Sequence, residues 1–226
     1  MNSPIQLTID AVVFGYDSVD GLSVILIKRK IDPFKGAWAL PGGFVLKGET
    51  LEQAVERELE EEAGVKVNYL EQLYTFGDPG RDPRQQIVTV AYYGLVRRTN
   101  FKLFADTDAE EAQWFNINEL PDLAFDHQRI FDYAIERLRN KISYEPIGFE
   151  LLDEKFSFPE LYNLYATLYG KKIDRRNFRK KFLQLGILEE LEEKTEAVGR
   201  GRPGSLYKFL PKKYFALKKE GIVFIV

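Results

Sequence analysis

The stretch GFVLKGETLEQAVERELEEEAGV, residues 43–65, contains a helix whose two ends are both marked. Thr50 is suited to the N-cap, and Gln53, three residues later, completes a capping box. Gly64 is suited to the left-handed conformation that commonly ends a helix. These signals predict an α-helix over residues 51–63.

Three carboxylates lie on one face of this predicted helix. Glu58 and Glu62 are four residues apart, and Glu61 is three residues from Glu58, so the three are neighbours on the helix surface. Like charges at this spacing destabilise a helix by about a few tenths of a kcal/mol per pair. The cluster therefore favours a compensating cation, and Mg²⁺ or Mn²⁺ is the natural candidate because both prefer oxygen ligands. We expect Arg57 to steady the cluster from its flank.

Strand-like runs surround the helix and predict a mixed α/β module. The runs IQLTIDAVVFGY, LSVILIKRK and QQIVTVAYYGLVRR are rich in β-branched and aromatic residues. A second helix is predicted over residues 127–141, with Asp126 as its cap. His127, the single histidine of the chain, lies at the start of that helix, where we expect it to cap or pack rather than bind a ligand. Gly42 and Gly43 precede the first helix, and their missing side chains let backbone approach a ligand.

The segment from Gly43 to Val65 resembles the Nudix box at each defining position. The matching residues are Gly43, Glu49, Arg57, Glu58, Leu59, Glu61, Glu62, Gly64 and Val65. The resemblance implies an α/β/α sandwich with a mixed sheet, and it implies that Glu58, Glu61 and Glu62 bind the metals. It extends over roughly residues 5–141, because TFGDPGRDPRQQIVTVAYYGLV is similar to the corresponding stretch of ADP-ribose pyrophosphatases. EEAQWFNINELPDLAFDH is similar to the segment before the last helix of that family.

Charge is distributed unevenly along the chain and predicts two modules. Residues 147–226 contain 16 Lys and Arg against 11 Asp and Glu, whereas residues 1–146 contain 16 against 24. Pro146 and Gly148 interrupt the helical pattern at the change of charge. We therefore place the domain boundary between residues 146 and 147, with an acidic module before it and a basic module after it.

The basic module has the pattern of a winged helix-turn-helix. FSFPELYNLYATLYGKKIDRRNFRKKFLQLGILEEL predicts two short helices, the second capped by Asp174 and packed through Phe178, Phe182 and Leu185. In such a motif the basic part of the second helix enters the major groove of DNA. Two strand-like runs joined by GRGRPG follow and predict a β-hairpin wing. The predicted DNA contacts are Arg175, Arg176, Asn177, Arg179 and Lys180 on the helix, and Arg200 and Arg202 on the wing.

The two modules together resemble bacterial Nudix-related transcription regulators. The resemblance implies a homodimeric repressor that binds a palindromic operator in double-stranded DNA and senses a small molecule through its Nudix-like domain. It implies an effector that is a sugar such as arabinose or a sugar nucleotide such as ADP-ribose, with control of sugar catabolism or NAD metabolism. The candidate effector-binding residues are Gly42, Gly43, Arg57, Glu58, Glu62, Arg81 and Arg84. A metal is not expected to be required for DNA binding.

Two alternatives to the regulator stay open. The box is complete, whereas degenerate boxes are common in the regulators, so a Mg²⁺-dependent hydrolase of ADP-ribose or a related diphosphate is one alternative. In that enzyme Glu58, Glu61 and Glu62 would be catalytic. Hydrolysis also needs a positioned base and a bound pyrophosphate, which the box does not specify. The other alternative is that the basic module mediates protein interactions.

The composition excludes cysteine chemistry and bears on the location of the protein in the cell. The chain has no cysteine, so disulfides and thiolate metal sites are excluded. No stretch reaches the roughly 18 apolar residues that a membrane helix needs, and the N-terminus lacks a secretory pattern. We expect a soluble, cytoplasmic protein without a membrane partner.

Overall fold

A mixed β-sheet organises the first part of the chain. The computed structural model describes residues 4–98, 103, 109–170, 172–195 and 204–221. The strands are β1 (Gln6–Asp17), β2 (Gly21–Arg29), β3 (Trp38–Ala39), β4 (Gly42–Phe44), β5 (Tyr69–Phe76), β6 (Ile87–Arg97) and β7 (Ala109–Asn116). Five of them follow the order β3-β2-β1-β6-β5, while β4 pairs with β1 and β7 with β2. Strands β1 and β6 are parallel and the other pairs are antiparallel.

One helix covers each face of this sheet. Helix α1 (Leu51–Ala63) packs on one side, where Ile9 and Val13 of β1 share a buried cluster with Leu59. Helix α2 (His127–Lys141) packs on the other side, where the rings of Phe14 and Phe131 lie 6.1 Å apart. Successive side chains of a strand point to opposite faces, so β1 supplies both layers of core. The arrangement is an α/β/α sandwich.

Helix α1 begins and ends where its sequence predicts. The Thr50 hydroxyl accepts from the Gln53 backbone N–H, and the Gln53 side chain accepts from the Thr50 N–H, which completes the capping box. Gly64 adopts φ 67° and ψ 31°, the left-handed conformation of a C-cap. Helix α2 also begins after Asp126, as its sequence predicts. The Arg129 and Ile130 N–H groups donate to the Asp126 carbonyl.

The second part of the chain forms a small helical domain with a three-stranded sheet. After a 3₁₀ turn at Ile147–Glu150, it contains β8 (Phe156–Ser157), α3 (Phe158–Tyr169), α4 (Arg175–Leu185), β9 (Leu188–Lys194), β10 (Ser205–Phe209) and α5 (Pro211–Lys219). The strand order is β8-β10-β9. Strands β9 and β10 are antiparallel and correspond to the predicted wing hairpin.

Aromatic side chains hold α3 against α4. The Phe178 ring lies 5.2 Å from Tyr165 and 4.7 Å from Phe182, and both phenylalanines are buried as predicted. Leu185, which was also predicted to face inward, is only half-buried. The core of this domain is therefore built mainly from rings.

The chain divides into two compact units, Met1–Arg137 and Leu138–Val226. The division falls inside α2, nine residues before the boundary placed between residues 146 and 147. The two domains 1–146 and 147–226 therefore stay a prediction. In the part of the chain that the structure describes, no helix combines the length and the apolar character that crossing a membrane requires.

Candidate functional site

A cavity of about 330 Å³ opens in the first unit, next to the carboxylate face of α1. Its walls come from β1, β2 and β4, from α1, from the β5–β6 loop and from the start of α2. The predicted effector and metal residues that line it are Gly42, Gly43, Arg57, Glu58, Glu61, Glu62, Arg81 and Arg84. The fold thus brings two separate sequence segments together at this cavity. They are the Nudix-box segment, residues 43–65, and the loop that contains Arg81 and Arg84.

Gly42 and Gly43 lie where a side chain would collide with its surroundings. The Gly42 N–H donates to Glu62 Oε2 at 2.9 Å, which fixes this carboxylate against the loop. A Cβ on Gly43 would lie 2.1 Å from Glu58 Oε1. A Cβ on Gly42 would lie 2.3 Å from the Ile9 carbonyl oxygen. Gly43 therefore allows β4 to pack closely against Glu58, and Gly42 allows it to pack closely against β1.

Arg57 neutralises part of the acidic cluster. Its guanidinium donates to Glu49 at 3.0 and 3.2 Å, to Glu58 at 2.7 Å and to Glu61 at 3.5 Å. Hydrogen bonding to Glu49 is the main cause that raises the pKa of Arg57 above its ordinary value. The predicted steadying role of Arg57 agrees with this geometry.

The carboxylates line the cavity without converging on one point. Among the described residues, no group of three or more His, Cys, Asp or Glu side chains is arranged to hold a metal ion. Glu58 and Glu61 contact Arg57, and Glu62 accepts from the Gly42 N–H. Three carboxylates are a suitable donor set for Mg²⁺ or Mn²⁺, but here they bond to protein groups. The metal assignment therefore stays a prediction.

Arg81 lies at the base of the cavity between two carboxylates. Its guanidinium donates to Asp126 at 2.6 and 3.0 Å and approaches Asp10 at 3.4 Å, and its side chain is only 5% exposed. Burial opposes the charge, but the hydrogen bonds to Asp126 and the charge of Asp10 outweigh it and raise the pKa of Arg81. This arginine joins the β5–β6 loop to β1 and to the start of α2.

Arg84 lies at the mouth of the cavity, beside two aromatic rings. It donates to the buried Asp82 carboxylate at 2.7 and 3.0 Å. Burial opposes the charge of Asp82, but the hydrogen bonds from Arg84 lower the pKa of that carboxyl. The guanidinium carbon lies 5.5 Å from the centre of the Phe44 ring and 5.7 Å from that of Phe125. The mouth therefore combines positive charge with aromatic surface.

His127 supports the loop that precedes the glycines. Its Nδ1 accepts from the Leu40 N–H at 2.9 Å, and its Nε2 lies 3.5 Å from Asp10 Oδ1. The ring is buried, and burial lowers the pKa of His127. The hydrogen bond from Leu40 fits a packing role for His127, and the residue also lines the cavity.

Several cavity residues were absent from the prediction from sequence. Asp10 has a detectable signal, because a carboxylate interrupts the apolar run of β1. Phe44, Asp82 and Phe125 have no comparable signal. Phe125 adopts φ 55°, which is uncommon for a residue with a large side chain. Its placement depends on contacts with distant parts of the chain.

The predicted DNA-contacting residues of α4 are all exposed. They are Arg175, Arg176, Asn177, Arg179 and Lys180. Asp174 caps the helix as predicted, because its carboxylate accepts from the Asn177 N–H at 2.7 Å. Arg200 and Arg202 at the wing tip lie outside the described residues.

Two of these arginines also contact rings of their own domain. The Arg175 guanidinium carbon lies 5.2 Å from the centre of the Tyr162 ring. Arg179 lies 4.7 Å from the Phe158 ring and donates to the Tyr207 hydroxyl at 2.9 Å. Arg176 and Lys180 therefore form the more outward part of the basic surface.

Comparison with known proteins accounts for both units. Residues 5–134 match the family described as NUDIX domain, and residues 148–209 match the NrtR DNA-binding winged helix domain. The chain is 34% identical over 214 residues to the ADPR responsive transcriptional repressor NtrR of Acinetobacter baylyi, which covers 92% of this chain and 83% of that protein. The chain belongs to the NrtR family. The predicted fold class, an α/β Nudix domain followed by a winged helix, is confirmed.

Solved NrtR structures share the architecture. The structure of Shewanella oneidensis NrtR complexed with a 27mer DNA is 37% identical, with a TM-score of 0.79, and covers 92% of this chain and 94% of that chain. The NUDIX domain of the same protein complexed with ADP ribose is 38% identical, with a TM-score of 0.56, and covers 61% and 90%. An ADP-ribose pyrophosphatase of Methanocaldococcus jannaschii is 44% identical over 122 residues, 51% of this chain and 71% of that protein.

The two predicted sites lie in different matched domains. The Nudix match includes every residue that lines the cavity. The NrtR winged-helix match includes α3, α4 and both strands of the wing. An NrtR-family chain with this layout carries a candidate ligand site in one unit and a candidate DNA site in the other.

Proposed function

We propose that this protein is a DNA-binding transcriptional repressor that releases its operator when ADP-ribose binds the Nudix unit. One observation carries the proposal. The Nudix domain contains a cavity lined by charged and aromatic side chains, and the NrtR-type winged helix presents an exposed basic helix. The names of the Acinetobacter repressor and of the Shewanella complexes support both the DNA and the ADP-ribose parts.

The cavity has the chemistry of a nucleotide site rather than a free-sugar site. Ile31, Phe44 and Leu46 line it with apolar side chains that are 37–55% exposed. Exposed apolar groups around a cavity favour a ligand with an apolar planar part, and Arg84 beside the ring of Phe125 adds a stacking surface with positive charge. ADP-ribose has an adenine ring and two phosphates for such a mouth, whereas arabinose has only hydroxyl groups.

We propose that the DNA-binding units of two protein copies act together in a homodimer. In a homodimer, two α4 helices related by a two-fold axis would contact half-sites of a palindromic operator about one helical turn apart. ADP-ribose would lower DNA affinity to the extent that it binds better to an arrangement of the helices that does not fit the operator. Because ADP-ribose is what remains of NAD after loss of nicotinamide, control of NAD metabolism fits this effector. We propose that the protein acts in the cytoplasm and that DNA binding needs no metal.

The test is DNA binding by the purified protein. DNA from upstream of its own gene neighbourhood is titrated at two salt concentrations, alone, with ADP-ribose and with arabinose. The expected result is tight, salt-sensitive binding that ADP-ribose weakens and arabinose leaves unchanged. Release by arabinose alone would overturn the choice of effector. No binding to DNA under any of these conditions would overturn the regulator itself.

A second candidate function is Nudix hydrolysis, because the box is complete and its three carboxylates line the cavity. Glu58, Glu61 and Glu62 would hold Mg²⁺ or Mn²⁺, and the cation would supply Lewis-acid chemistry. The Methanocaldococcus pyrophosphatase supports this candidate through its similarity to the Nudix domain.

Turnover of ADP-ribose with Mg²⁺ or Mn²⁺ tests this second candidate. If the wild type hydrolyses ADP-ribose, Glu62→Gln should abolish turnover because a metal ligand is weakened. Glu60→Gln is the matched control, since Glu60 lies on the same helix, is exposed and does not line the cavity. Absence of turnover across a panel of nucleotide sugars would exclude the enzyme.

A further inference from the structure

One exposed apolar side chain lies at the C-terminal end of the basic face of α4. Leu183 is 45% exposed, while Phe178 and Phe182 of the same helix are buried. Arg176, Lys180 and Leu183 are spaced i, i+4 and i+7, which places them along one stripe of the helix. The outward face of α4 is therefore a stripe of cations that ends at an exposed leucine.

The surroundings of Leu183 form a shallow depression on the surface. Its lining residues are Arg176, Arg179, Lys180, Leu183 and Gln184. A single exposed leucine is normal on a protein surface and proves nothing alone. The charge beside it favours one class of partner, because the three cations attract a polyanion and repel a basic protein surface. DNA is the occupant that fits both the charge and the winged-helix fold.

We propose that Leu183 contacts the 5-methyl group of a thymine in each operator half-site and so helps to determine operator sequence. The inference rests on the proposed repressor function and deepens it. The thymine methyl is the apolar group that the major groove presents, and apolar side chains recognise it by direct contact. Gln184, at the edge of the same depression, has an amide suited to an adenine edge.

Helix geometry predicts where that thymine lies. Leu183 lies seven positions after Arg176, which is a rise of about 10 Å along the helix axis. This length corresponds to about three base pairs at 3.4 Å each. The methyl contact is therefore expected within about three base pairs of the position contacted by Arg176, because any tilt of α4 relative to the DNA axis shortens this spacing.

The test removes the methyl group and the leucine separately. Each thymine of the operator is replaced in turn by deoxyuridine, which lacks only the methyl group, and affinity is measured for the full-length wild type and for Leu183→Ala. For the wild type, one thymine in each half-site should be sensitive, and its replacement in a single half-site should weaken binding about three- to fivefold, the effect of losing burial of about one methyl group. Leu183→Ala should weaken binding to the natural operator by at least that factor and be insensitive to the same replacement.

A control separates this contact from general loss of apolar surface. Phe215→Ala removes another exposed apolar side chain of the same unit, 59% exposed on α5, and should keep wild-type affinity and the wild-type response to deoxyuridine. Leu183 is exposed, so its variant should also keep the wild-type melting temperature.

Three results would overturn the inference. In the first, the wild type binds its operator but every deoxyuridine operator is bound equally well. In the second, Leu183→Ala keeps the full response to deoxyuridine. In the third, Leu183→Ala changes the oligomeric state in sedimentation, which would assign the leucine to a protein contact. Failure of the wild type to bind any operator would instead overturn the repressor function on which the inference rests.

Discussion

The Arg179 guanidinium of helix α4 donates a hydrogen bond to the Tyr207 hydroxyl of strand β10 at 2.9 Å. The same guanidinium lies 4.7 Å from the ring of Phe158, at the start of α3. Arg179 therefore links the proposed recognition helix to the wing strand and to the neighbouring helix. The sequence predicts that Arg179 contacts DNA, whereas its contacts within the domain favour the alternative that it positions α4.

Salt dependence distinguishes positioning from phosphate contact. Tyr207→Phe and Arg179→Met should weaken operator binding several-fold, because a hydrogen bond of about 1 kcal/mol that orients α4 is lost. The slope of log affinity against log salt should stay at the wild-type value. Arg176→Ala, which removes one outward cation from each of the two α4 helices of the proposed homodimer, should reduce that slope by about 1.8. A smaller slope for Arg179→Met, equal to that of Arg176→Ala, would show that Arg179 neutralises a phosphate.

The two adjacent glycines should respond differently to alanine. Gly43→Ala places a Cβ against the end of the Glu58 side chain, which can move, so the fold should survive while ADP-ribose affinity falls at least about tenfold. Gly42→Ala places a Cβ against the Ile9 backbone, which cannot move easily, so it should destabilise the protein by about 1–3 kcal/mol or more. Calorimetric titration and urea unfolding measure the two effects. Wild-type ligand affinity in Gly43→Ala would contradict the placement of the ligand beside Glu58.

Arg81 should contribute more to stability than an exposed arginine. Arg81→Met leaves Asp10 and Asp126 without their buried cation, and loss of one partner from a buried pair costs about 3–5 kcal/mol. Arg129→Met is the matched control, because Arg129 pairs with Asp78 where both side chains are at least half exposed, and such pairs contribute about 0–1 kcal/mol. Urea unfolding compares the two variants. Equal stabilities would show that Arg81 serves the ligand rather than the fold.

Mild acid should destabilise the Nudix unit through His127. Burial lowers the pKa of His127 below its ordinary value of 6.5, so the folded state binds this proton less readily than the unfolded state. The contribution to stability is therefore complete above pH 6.5 and is lost as the pH falls below it, although the charges of Asp10 and Asp126 oppose part of the shift. Urea midpoints at pH 7.5, 6.5 and 5.5 measure the loss. Since His127 is the single histidine, His127→Gln should flatten the profile in this range.

Local signals in the sequence were sufficient for the helices and for the two matched domains. The two ends of α1 are set by the caps at Thr50, Gln53 and Gly64, whose hydrogen bonds join residues three to five positions apart. Neighbours along the chain therefore determine where this helix begins and ends. Asp174 caps α4 for the same reason. The β-branched and aromatic residues of β1 predicted a strand because such side chains pack well on a pleated sheet.

The sequence did not predict which groups the charged side chains contact in the folded protein. Arg81 bonds to Asp126, 45 residues away, and contacts Asp10, 71 residues away. Arg179 meets Tyr207 across 28 residues. In each case the residue type was visible in sequence, but its partner within the protein was not, and the predicted ligand contacts stay predictions.

The metal cluster illustrates the same limit. Spacing placed Glu58, Glu61 and Glu62 on one face of α1, and the structure confirms that face. Whether those carboxylates meet a cation, Arg57 or the Gly42 N–H depends on how β4 and the loop before α1 pack against the helix. Hydrogen bonds and ion pairs act over only a few ångströms, so a chain must be folded before distant groups can select their partners.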